Sequence, residues 1–178
     1  MEAQSHPLAP FFHQVVRNSY EGKLGLHDPD MTGYVAHLLC EFSQSDKLYK
    51  IRDEKGHPIE HLEAMLAASD PVNGTAPSFD AERSIRKYIG DYALFVSGMY
   101  PEAMTPAGRR RGAHASLREL IETGKESYYI VSQFNLFEYE DEAPLFARLA
   151  DSFERCILGL ALVREDLNKR KALPPMVN

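Results

Sequence analysis

Residues His57-Pro-Ile-Glu-His61 satisfy the order H-x-x-E-H. In zinc peptidases with that order, two histidines one helical turn apart hold the metal and the glutamate activates water. Here Pro58 favours the first turn of a helix, which puts His57 at the cap and off the face that carries His61. His37 and Glu41 are also one turn apart and offer either a shared metal or a pair facing water. A dinuclear carboxylate site in a helical bundle needs two Glu-x-x-His pairs, and only Glu54-Lys-Gly-His57 has that spacing. A metal-dependent enzyme using His37/Glu41 or His57/His61 is therefore the alternative reading, not the leading one. The run Gly108-Arg109-Arg110-Arg111-Gly112 offers forked donors for a phosphate or an acidic partner, or else forms a solvated loop. Thr123-Gly-Lys-Glu126 lacks the upstream glycine and the following Ser/Thr of a phosphate-binding loop. No serine sits in a G-x-S-x-G turn, and neither cysteine has a local base.

A second kind of chemistry lies in Tyr88-Ile-Gly-Asp-Tyr-Ala-Leu-Phe-Val-Ser-Gly-Met-Tyr100. On a helix, Gly90, Ala93 and Ser97 share one stripe, and Tyr88, Tyr92, Phe95 and Met99 lie beside it. The small stripe admits a close neighbour, either a helix or a ligand. Asp91 must be paired if buried, with tyrosine hydroxyls or His37 as partners, or it faces water beside Lys87. The chain has nine tyrosines and no tryptophan, and Tyr34, Tyr88, Tyr92 and Tyr128 fall on apolar faces. Buried hydroxyls require partners, so a polar cluster inside a bundle is expected. Tyr34, His37, Asp91, Tyr92 and Tyr128 are its candidate members. It serves either as a site for a small molecule or as a structural network.

Helical periodicity positions these residues. Phe12, Val15, Val16 and Tyr20 form a stripe over 10–21, closed by EGKLG. Asp28-Pro29-Asp30 starts a helix carrying Met31, Tyr34, Val35, Leu38, Leu39 and Phe42. LYKIRDEKGHPI predicts a small hairpin or an extended excursion near 48–59, and HLEAMLAAS a short helix begun by Pro58. Ser78 caps a helix that runs to Tyr100, with Pro101 as its stop. Ser116 and Glu119 form a capping box, and Gly124 predicts a kink or a junction of two helices. Phe146, Leu149, Phe153, Cys156, Leu160, Val163 and Leu167 predict one last helix. The uncharged run from Cys156 to Val163 predicts that it is the central rod, inaccessible to water, rather than a dimer seam. The expectation is an all-α single domain over 1–178, a bundle of five to seven helices with a fraying tail at 171–178.

Composition bounds the function. An apolar share of 44% and a charged share of 26% are those of a soluble globular chain. The net charge of −6 opposes general nucleic-acid binding. Cys40 and Cys156 sit in apolar runs, as reduced thiols of a cytoplasmic protein do. No signal peptide is expected from MEAQSHPLAPFF, and no membrane span, since no run free of Asp, Glu, Lys and Arg reaches the ~20 residues required. The blocks YVAHLLCEF, YIGDYALFVSGMYPE and GKESYYIVSQF resemble a family of uncharacterised bacterial helical proteins. That resemblance implies a bacterial cytoplasmic protein and carries no activity. The leading expectation is a binding protein with a polar, tyrosine-lined internal pocket for a small molecule. A homo-oligomeric interaction module is a further alternative, and the sequence assigns no cofactor.

Overall fold

The computed structural model describes residues 7–43, 62–104 and 116–170. Among the described residues every regular element is a helix and there is no strand. The α-helices are α1 (Ala9–Arg17), α2 (Pro29–Phe42), α3 (Leu62–Ser69), α4 (Phe79–Met99), α5 (Leu117–Gln133), α6 (Ala143–Asp151) and α7 (Phe153–Lys169). The hairpin or extended excursion expected near 48–59 lies outside the described residues, as does the tail.

Helix starts follow side-chain chemistry. Asp28 accepts from the Met31 backbone N–H at 3.1 Å, and Ser78 from that of Ala81 at 3.1 Å. Ser116 and Glu119 satisfy each other's backbone N–H groups, the reciprocal capping box. The first helix runs further than its pattern implies. After Arg17 it continues as a π-helix to Lys23, with the Leu24 N–H donating to the Ser19 carbonyl. Gly25, at φ 67°, then reverses the chain in a conformation a side chain would disfavour. The widened turn places the Tyr20 hydroxyl 2.6 Å from the Cys156 carbonyl oxygen, to which it donates.

The buried apolar side chains form one contiguous cluster. Its central element is α4, which packs on α2, α3, α5 and α7 and is buried at nearly every position from Tyr88 to Tyr100. This corrects the expectation for the C-terminal stripe in two respects. The stripe belongs to two helices, α6 and α7, which meet at Ser152 with φ −103° and ψ 18°. Nor is α7 a central rod: Cys156, Leu160 and Val163 are fully buried, but Leu158 and Ala161 are exposed and Ile157 and Leu162 partly so. The helix lies at the perimeter with one face inward, and singly exposed apolar side chains on its outer face, Leu158 among them, need no cover.

Gly124 marks neither a kink nor a junction, since α5 is continuous through it. A Cβ there would come within 2.7 Å of the Phe153 ring, so the glycine lets α5 approach α4 and α7 closely. All seven residues of the C-terminal stripe, Phe146 to Leu167, are buried within the single chain. Phe153→Ala should therefore cost about 3–5 kcal/mol, measured by denaturant unfolding. The wild-type melting temperature should not change with protein concentration. A folded Phe153→Ala protein of half the wild-type mass would identify the stripe as a dimer seam instead.

Candidate functional site

Asp91 is only 4% exposed, and three helices converge on its carboxylate. From α2, the Tyr34 hydroxyl donates to Oδ1. From α5, the Tyr128 hydroxyl donates to the same oxygen at 2.7 Å. One turn earlier on α4, the Lys87 ammonium donates to Oδ2 at 3.2 Å. Asp91 therefore does not face water: it is buried and paired with tyrosines, and of the solvated reading only the contact with Lys87 holds. All three partners donate to a group whose ionised form is acceptor-only, which meets the requirement on a buried charge.

Local sequence explains the convergence. A Cβ on Gly90 would lie 2.5 Å from Tyr128 Cε1, so only glycine lets that ring lie flat enough to reach its neighbour Asp91. The Tyr34, Tyr128 and Phe146 rings contact one another, with centroids 5.4 to 6.3 Å apart. Tyr128 also meets Phe153, at 5.7 Å. The polar atoms therefore sit within aromatic packing. Lys87 is the route outward: its side chain is 34% exposed, and its ammonium lies 5.4 Å from the centroid of the Tyr34 ring.

Burial, with the negative charge of Asp91 as the next cause, holds the Tyr34 and Tyr128 hydroxyls well above the usual tyrosine range. Burial does the same to Tyr20, and it pushes the Cys156 thiol up to about 12. Cys156 therefore packs as an apolar side chain without a reactive thiolate.

Two candidates lie apart from this cluster. His37 is on the exposed face of α2 with its side chain 72% accessible, 3.5 Å from Glu41. It lies one turn beyond Tyr34 in helical phase, but the buried side of α2 is taken by Val35, Leu38 and Leu39 and His37 is left in solvent. Tyr92 follows Asp91 by one residue, 100° around α4, and its ring stacks on Tyr88 with centroids 6.3 Å apart. Among the described residues no three His, Cys, Asp or Glu side chains are grouped to hold a metal ion. His57, His61, Arg109, Arg110 and Arg111 lie outside the described residues. An open depression of about 730 Å³ follows the exposed side of α1, past His13, Gln14 and Arg17, and none of the candidate residues lines it.

Sequence reasoning missed Arg83. It is buried one turn before Lys87, donates to Glu142 at 2.8 Å and stacks over the Tyr139 ring at 4.0 Å. Nothing in its spacing sets it apart from a solvated arginine, because its cover comes from residues some sixty positions away. No family model, curated protein or solved structure matches the chain. The class is therefore defined by structure alone: an all-helical bundle organised around a buried carboxylate held by two tyrosines and a lysine.

The raised tyrosines fix a pH dependence. Their folded-state pKa values exceed the unfolded value near 10, so their contribution to stability is complete below that pH. It is lost as pH rises through the folded values. Absorbance titration at 295 nm should show Tyr20, Tyr34 and Tyr128 ionising only together with alkaline unfolding. Simple titration of all nine tyrosines near pH 10 in a still-folded protein would contradict the buried cluster.

Proposed function

We propose that this is a soluble bacterial cytoplasmic protein that binds a small molecule at the α2–α4 face of the Asp91 cluster. The observation that carries the reading is the Lys87 ammonium, which donates to the buried Asp91 carboxylate and lies beside the Tyr34 ring while its side chain stays 34% exposed. Lys87 neutralises Asp91 and, being partly exposed, also leaves its ammonium within reach of a ligand at the surface. The ammonium has three donors, and its bond to Asp91 uses one. Beside the aromatic ring it suits a ligand with a planar body and an anionic group, the ring contacting the body and the ammonium the charge.

Native mass spectrometry of gently purified protein tests this. The wild type should carry a small-molecule adduct, and Lys87→Met should lose it while still folding, destabilised by about 1–3 kcal/mol because the buried Asp91 carboxylate loses its cation. An adduct retained unchanged by Lys87→Met, or a bare wild-type protein, would leave the cluster as a structural network only.

A further inference from the structure

The turn between α5 and α6 presents its apolar side chains outward. Phe137 is 87% exposed and Leu136 is 66% exposed. Phe137 has a backbone φ of 55°, a left-handed conformation that an aromatic residue adopts at a cost. The turn is fixed on its inner side. The Tyr139 hydroxyl donates to Asp80 at 3.0 Å, the Arg83 guanidinium covers the Tyr139 ring, and Arg83 is anchored to Glu142. The inward side chains thus hold a short turn in place while two large apolar ones are pushed into water. Phe79, beside Asp80 at the start of α4, is another exposed ring at this end of the bundle.

Charge decides what could cover such a surface. Glu138, Glu140 and Asp141 are exposed around Phe137, and residues 126–147 contain no Lys, Arg or His. A second copy docking by the same surface would set these acids against their equivalents, and an anionic bilayer would be repelled. A basic protein surface would be attracted and oriented. We propose that the 136–142 turn docks into a basic protein partner, Leu136 and Phe137 entering an apolar pocket and the three acids meeting Lys or Arg at its rim. A rigid aromatic anchor with a charged rim is the usual anatomy of an interaction hot spot, and a turn held in shape beforehand loses little entropy on binding. The proposal uses none of the ligand-facing groups assigned to the Asp91 cluster.

The test places a photo-reactive p-benzoylphenylalanine at position 137 in the full chain, expressed in the cells it comes from. This keeps an aromatic anchor at that position. Irradiation should yield an adduct with one protein, and the cross-linked peptide should lie in a Lys/Arg-rich surface. Combining the substitution with Glu138→Lys, Glu140→Lys and Asp141→Lys should reduce the adduct by about tenfold or more. The melting temperature of that variant should stay near the wild-type value, because all three positions are exposed. An adduct with a second copy, an adduct with lipid, no protein adduct, or a yield indifferent to charge reversal would each overturn the proposal.

Discussion

A charge inside an apolar core is tolerated only if donors surround it, and Asp91 imposes that condition on its whole neighbourhood. Its donors come from α2, α4 and α5, so the three helices must meet at one height and one rotation. Apolar contacts alone would hold these helices together with more freedom to slide, since hydrophobic packing is non-directional. A hydrogen bond with narrow distance limits removes that freedom. The tyrosines suit the task because each joins a hydroxyl that reaches the carboxylate to a ring that fills the surrounding core.

The requirement propagates outward. For Tyr128 to reach Asp91, its ring must lie across Gly90, and for α5 to come so near, Gly124 must accept the approach of Ala93 and Phe153. Gly159 plays the same part on α7, where a Cβ would lie 2.6 Å from Tyr20 Cζ. Gly90, Gly124 and Gly159 therefore mark where aromatic rings cross helices. A leucine-filled core would avoid the polar group altogether, but it would supply neither a fixed register nor a lysine held between interior and solvent.

What could be read in the sequence depended on how locally each feature is determined. The caps at Asp28, Ser78 and Ser116 were legible because donor and acceptor lie within three residues of each other. The all-helical class was legible because the apolar stripes repeat every three to four residues. The cluster of Tyr34, Asp91 and Tyr128 was half legible: a carboxylate and hydroxyls on apolar faces demand one another, yet the pattern also admitted His37 and Tyr92. Helical phase alone places those two within a turn of the site, and only tertiary packing turns one to solvent and the other against Tyr88. Gly124 and the uncharged run in α7 misled for a related reason. An interior glycine signals either flexibility or close approach, and an apolar outer face resembles a buried one, until the neighbouring helices are known. The break at Ser152 had no signal, since neither glycine nor proline marks it.

The central claim, that one carboxylate sets the register of three helices, is tested most directly by a double-mutant cycle in denaturant unfolding. Tyr128→Phe, Asp91→Asn and their combination isolate the coupling between the two groups. A bond to a buried charge predicts a coupling of about 1.5–3 kcal/mol, with the double variant less destabilised than the sum of the single changes. Additive effects, with coupling below about 0.5 kcal/mol, would mean that the helices hold their positions without the carboxylate.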